Sequence, residues 1–223
     1  MTPHLQERNR GVDGGDLSLA TLERIRLLVV DDHPAVRRGL RELLAEDAEL
    51  LVIATAASAD QALAVAERTG LDVVVTDYQL GGRNGLWLSR KLKRLPRPPR
   101  VVIYSAYSDG LLAAAAAVAE ADAVVSKGAL GSELSQTIRA VARGRLLLPM
   151  VKGSQAEEIR ARLDDREQAI YGMRLAGISA FDIARTLGMS AGGLESHLAE
   201  MLRKLQTPEP APPRRRPLRS MLG

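Results

Sequence analysis

IRLLVVDDHP, residues 25–34, is the stretch on which the fold turns. Ile25 to Val30 is a short, mainly apolar run without polar alternation, as a strand buried on both faces requires. It ends in two aspartates, a histidine and a proline suited to opening a helix. The same design recurs at Leu50–Thr55, Val73–Thr76, Val101–Tyr104 and Ala123–Val125, with helical periodicity in Ala35–Ala45, Ala59–Thr69 and Leu86–Leu95 between them. Five such units predict an α/β domain over residues 25–144, a doubly wound five-stranded parallel sheet closed by a helix at Gly131–Arg143.

The flanking segments read differently. Residues 1–24 are polar and aperiodic, as a disordered leader is. Residues 145–160 form a linker, with Pro149 to Glu158 leading into a purely helical region at 161–206. There Asp164, Ser179 and Ser190 each stand as N-cap candidates before an apolar-periodic stretch, which predicts three helices. Ala184, Gly188 and Leu194 supply a small residue, a turn glycine and an apolar anchor, the requirement of two helices crossing closely as a helix-turn-helix. Residues 207–223, with PEPAPPRRRP among them, are too rich in proline and charge to fold and form a disordered basic tail.

The 223 residues are 46% hydrophobic and include no cysteine, which excludes disulfides and thiolate metal sites. The longest apolar run, Leu111–Ala119, falls short of the ~20 residues of a membrane span, and the first 24 residues lack the apolar core of a signal peptide. A cytoplasmic protein without membrane partners is expected. The net charge of +4 is unevenly placed: residues 163–205 carry five basic against six acidic side chains, whereas the tail from Gln206 has four arginines against Glu209 alone.

Ligands of an open parallel sheet bind beyond the carboxyl ends of its strands. The polar residues there are Asp31 and Asp32 after the first strand, Asp77 at the end of VVVTD, Ser105 at the end of VVIYS, and Lys127 after the fifth strand. Singly, each has an ordinary structural use: Asp31 or Asp32 as a helix cap, Asp77 opening a turn toward Gly81, Ser105 as a strand-end hydroxyl, Lys127 as a solvated charge. Together, three converging carboxylates need a hard cation, and an oxygen-only donor set suits Mg²⁺. One carboxylate can then attack a phosphoryl group, whose charge the lysine and hydroxyl meet. His4, His33 and His197 show no spacing for a metal or a proton relay. Lys91, Lys93, Arg94, Arg97 and Arg100 read as a solvated helix end, and Ala113–Ala117 as a helix with a flat surface.

As a set these residues resemble the receiver domain of two-component response regulators. With the C-terminal module, the likeness over residues 25–205 is to the NarL/FixJ type, a flavodoxin-like receiver joined to an all-α LuxR-type helix-turn-helix domain. The resemblance implies that Asp77 is the phosphoacceptor, Asp32 a direct Mg²⁺ ligand, Asp31 a ligand through water and the Gln79 carbonyl a backbone ligand. It implies that Ser105, the Ala106 amide and Lys127 hold the phosphoryl oxygens, and that Gly85 is the loop glycine. A sensor histidine kinase as phosphodonor, homodimerisation on phosphorylation and DNA as target follow from the same likeness, with no enzymatic turnover beyond slow self-dephosphorylation.

Departures from the pattern stand at Gly81 and Gly82, where a proline is usual four residues after the phosphoacceptor, and at Val124, where a switching Tyr or Phe is usual. In the C-terminal module the likeness rests on Arg166-Glu167, Gly177, Ser179, Ile183-Ala184 and Lys204-Leu205. Leu194, Leu198, Met201, Leu202 and Leu205 share the face expected to be buried. The opposite face, centred on Gly192, Ser196, Ala199 and Arg203 with Lys204 near its end, is the one for a major groove. Glu195 stands where a DNA-contacting lysine is common, Glu200 adds a second anion, and Gly192 and Gly193 each weaken the helix by ~1 kcal/mol relative to alanine. Two readings follow: a transcription regulator that dimerises on DNA, or a phosphorylation-controlled protein-interaction module whose helix-turn-helix no longer reads DNA. A small α/β hydrolase is excluded, since no serine lies in a nucleophile elbow.

Overall fold

The computed structural model describes residues 24–106 and 109–205. The leader and basic tail expected from the sequence lie outside the described residues, apart from Arg24. Five parallel strands, β1 (Ile25–Val30), β2 (Leu50–Ala56), β3 (Val73–Asp77), β4 (Arg100–Ser105) and β5 (Ala123–Ser126), form one sheet in the order β2-β1-β3-β4-β5. Both faces are covered, as the near-continuous apolar strands require. Leu27, Val29, Val73 and Val75 point to the side holding α1 (Pro34–Ala45) and α5 (Gly131–Ala142). Leu28, Val30, Val74 and Ile103 point to the side holding α2 (Ala59–Ala66), α3 (Gly85–Leu92) and α4 (Gly110–Val118).

Local chemistry sets the helix starts. Pro34 opens α1, the Ser58 hydroxyl accepts from Gln61 N–H at 3.2 Å to cap α2, and Asn84 and Asp109 cap α3 and α4 by accepting from the amides of Trp87 and Leu112. α2 and α3 stop three residues short of the expected ends. Their chains continue in tighter turns, Arg68 N–H reaching Val65 O and Leu95 N–H reaching Leu92 O.

The C-terminal region is α6 (Ser154–Arg162), α7 (Asp165–Leu175), α8 (Ala180–Thr186) and α9 (Ala191–Leu205). Asp164 caps α7 in a reciprocal capping box with Glu167, Ser179 caps α8, and the Ser190 hydroxyl accepts from Gly193 N–H at 3.0 Å at the head of α9. Gly188, with φ +62°, makes the turn between α8 and α9 in the left-handed conformation that favours glycine. One difference from the sequence reading is α6, which occupies part of the expected linker. Only Ile159 of its nine residues is buried, so it offers little amphipathic signal.

α4 explains how the two regions meet. All nine of its residues are buried, and a helix apolar all round needs cover on every side. The sheet covers one side, and α6, α7 and α9 pack over the other. The alanine run is the seat of the C-terminal module, and one apolar core runs from β4 through α4 to Leu198 and Leu205.

Candidate functional site

β1 and β3 are neighbours whose following helices leave on opposite faces of the sheet, which opens a crevice at their carboxyl ends. Asp31 lies there fully buried, Asp77 is 7% exposed and Ser105 is 2% exposed. Lys127 Nζ stands between the two carboxylates, 2.7 Å from Asp31 Oδ2 and 2.9 Å from Asp77 Oδ2. Its amide donates to Ser105 O at 2.7 Å, tying the β5 loop to the end of β4. Burial raises the Asp77 carboxyl above the usual carboxylate range against the pull of Lys127 and the Gln79 amide. Burial acts to lower Lys127, but its hydrogen bonds to Asp31 and Asp77 outweigh that and hold the ammonium above its ordinary value.

Asp31 and Asp32 have different surroundings. Both Asp31 oxygens are engaged, Oδ1 by His33 N–H at 2.8 Å and Oδ2 by Lys127, and its carbonyl accepts from Arg37 at 2.5 Å. Asp32 Oδ1 is a buried oxygen that receives no hydrogen bond, although His33 Nδ1 lies 2.8 Å away. Asp31, Asp32 and His33 bring ligand-type atoms within 4.8 Å of one another. An unsatisfied buried carboxylate oxygen beside two further carboxylates fits a divalent cation. The contact of His33 with this pair was not foreseen; its place directly after Asp32 was the available signal.

Gly85 is required by packing. A Cβ there would stand 2.3 Å from Asp77 O, so only glycine lets α3 begin against the end of β3. Gly82, with φ +98°, takes the left-handed conformation in the loop that carries two glycines in place of the usual proline. Val124 packs in the core at 9% exposure, and Gln79 and Ala106 lie exposed on the loops beside Asp77 and Ser105.

The response regulator receiver domain family matches residues 27–139. The chain belongs to this family. It is 31% identical over 193 residues to the DNA-binding transcriptional activator DevR/DosR of Mycobacterium tuberculosis, covering 81% of this chain and 88% of that one. A LuxR-family two-component response regulator from Aurantimonas sp. SI85-9A1 superposes on 56% of the chain and 89% of its own with TM-score 0.54 at 33% identity. The response regulator RcsB in its DNA complex shares the fold over 82% of this chain and 92% of its own, with TM-score 0.55 at 20% identity. The expected NarL/LuxR-type architecture is therefore that of this response regulator.

The C-terminal face divides in two. Leu194, Leu198, Met201, Leu202 and Leu205 are buried as expected, while Gly192, Ser196, Ala199 and Arg203 are exposed. Arg203 pairs with Glu200 on the same surface. Lys204 lies 2.7 Å from the buried Glu167 carboxylate and holds α9 to α7. Glu195 is ion-paired with Arg90 of α3 and with Arg94 in the turn that follows it. The basic cluster is thus not a purely solvated helix end. Arg94 engages Glu195, and Lys93 and Arg100 clasp the buried Asp122 at 2.5 and 2.9 Å. Sequence separation hid these partners, since the Arg90–Glu195 pair spans 105 residues.

Proposed function

We propose that this response regulator is a phosphorylation-controlled regulator of transcription acting in the cytoplasm. The observation that carries the proposal is Lys127 bridging Asp31 and Asp77, which leaves one carboxylate cradled at a sheet edge with its counter-charge in place. In the reaction an Asp77 oxygen attacks the phosphorus of a phosphohistidine on a sensor kinase. The O–P bond forms as the P–N bond breaks, and the imidazole leaves with the electron pair. Asp31, Asp32, Asp77 and the Gln79 carbonyl are the residues that would hold Mg²⁺. Bound there, the ion supplies the positive charge that carboxylates and phosphoryl oxygens need when brought together. Lys127, Ser105 and the Ala106 amide then hold the transferred group. The protein takes up one phosphoryl group and is not a turnover enzyme.

The output is DNA, reached as a homodimer through the exposed face of α9. Glu195, which favoured a protein-interaction module, is accounted for by its pairing with Arg90 and Arg94. Its anionic character serves the contact between module and receiver, and DNA binding requires that contact to open. Intact mass after treatment with Mg²⁺ and acetyl phosphate tests the chemistry. Wild type gains one phosphoryl group and Asp77→Asn gains none; equal labelling of the two would move the nucleophile elsewhere.

A further inference from the structure

Away from the acidic site, the segment 146–151 and helices α6 and α7 line a half-open cavity of about 490 Å³. That volume is in the range of small-molecule sites, roughly 300–1,000 Å³. Ile159, Leu163 and Tyr171 line its apolar wall. Leu146, Met150 and Leu175, three of the large apolar side chains most exposed among the described residues, stand at 42%, 80% and 46% exposure around it. Water solvates such a site poorly, so apolar matter displaces it favourably.

Two features give the cavity a chemistry. Arg160 lines the cavity, lies exposed and carries no ion pair among the described residues. Gly172 lies inside α7, where glycine is disfavoured against alanine. A Cβ there would meet nothing within 4 Å, so no neighbour demands the glycine, and what its lack of a side chain preserves is space in the cavity.

We propose that this cavity binds a small amphipathic monoanion, an aliphatic carboxylate of medium chain length, with its alkyl body against Ile159, Leu163 and Tyr171. Its carboxylate meets the Arg160 guanidinium, which supplies a planar donor pair suited to that group. Because both the 146–151 segment and the α6–α7 pair form the wall, an occupant holds the interdomain segment against the module.

The test is calorimetric titration of the full chain with decanoate below its micelle concentration, with decanol and decylamine as controls. Wild type binds decanoate saturably, one molecule per chain, and binds decylamine far more weakly. Gly172→Leu fills the cavity and lowers decanoate affinity by about tenfold or more, with an unchanged circular dichroism spectrum and unchanged labelling of Asp77. Arg160→Gln lowers affinity for decanoate by about tenfold and leaves decanol unaffected. If Gly172→Leu perturbs folding, Ala156→Leu fills the same space from α6 and must give the same loss. Absence of saturable binding, equal binding of decylamine and decanoate, or wild-type affinity in a folded cavity-filled variant overturns the proposal.

Discussion

Glu195 on α9 is ion-paired with Arg90 on α3, and the Arg90 guanidinium also donates to the Glu195 carbonyl at 3.3 Å. The side chain that disfavours DNA on the module is thereby the one that fastens it to the receiver. Arg90 is 15% and Glu195 38% exposed, so the pair is partly screened, and its worth is of the order of a well-placed surface pair, about 0.2–1 kcal/mol. A contact of that size biases a domain arrangement without locking it. Partial burial raises the Glu195 carboxyl, and Arg94 and Arg90 outweigh this and leave it below its ordinary value. For a carboxylate with a depressed folded-state pKa, the stabilisation is present at neutral pH and is lost as pH falls through that lowered value.

Replacing Glu195 with lysine sets it against Arg90 and Arg94 and gives α9 a new phosphate contact. DNA affinity of the unphosphorylated chain is expected to rise, and the plot of log K against log salt to steepen by about one to two units, at roughly 0.9 per phosphate contact. Arg90→Ala with Arg94→Ala opens the same contact without altering the face of α9, so affinity rises with the slope unchanged. Fluorescence anisotropy over a salt series reads both. Wild-type affinity and slope in Glu195→Lys would take α9 out of the groove and restore the protein-interaction reading.

Lys127 neutralises two carboxylates at once, so Lys127→Met leaves Asp31 and Asp77 buried without a counter-charge. Loss of one partner from a fully buried pair costs about 3–5 kcal/mol; Lys127 is 22% exposed, so a smaller loss is expected, with urea unfolding shifted to lower denaturant. Mg²⁺ should recover much of that stability, because a cation can take the place of the ammonium. Equal urea midpoints for variant and wild type without Mg²⁺ would show that the lysine does not carry the charge balance.

Much of this was legible in the sequence, because the signals were local. Strands apolar on both faces declared a covered parallel sheet, N-caps at Asp164, Ser179 and Ser190 declared the helices of the module, and strand-end residues declared the acidic site. What could not be read depends on contacts remote in sequence. Nothing near Glu195 points to Arg90 and Arg94, and nothing near Lys204 points to Glu167. The alanine run of α4 suggested a flat surface without saying what lies on it. Weak amphipathicity masks α6, and His33 has no spaced partner in the sequence because its partners, Asp31 and Asp32, are its own neighbours.

The two adjacent aspartates are predicted to differ in metal binding. Asp31 already spends both oxygens on the His33 amide and Lys127, whereas Asp32 Oδ1 is buried and accepts nothing. Asp32→Asn should weaken Mg²⁺ more than Asp31→Asn, while Asp31→Asn should cost more fold stability by removing one of the two carboxylates that Lys127 pairs with. Metal titration and urea unfolding of the two variants separate the effects. A larger loss of Mg²⁺ affinity in Asp31→Asn reverses the assignment.

Arg174 offers the sharpest test of α4 as the seat of the module. From α7 it donates to Ala117 O at 3.4 Å, near the carboxyl end of α4, approaches Glu120 at 3.7 Å, and donates to Ile178 O at 2.7 Å. A cation placed at the end of a helix where carbonyls lack intrahelical partners is well sited, and burial lowers its pKa from the ordinary arginine value without removing its charge. Arg174→Met keeps much of the side-chain volume and removes the charge and the donors, at a cost of about 1.5–3 kcal/mol for hydrogen bonds of a charged group. Because α4 is apolar on every side, loosening the module exposes a helix with no polar face. Amide exchange in residues 110–118 should accelerate, and protease should cut more readily between residues 145 and 153, while exchange in β1 and β3 stays as in wild type. Exchange that rises equally across the sheet would mean that Arg174 supports the whole fold and not the docking of the module on α4.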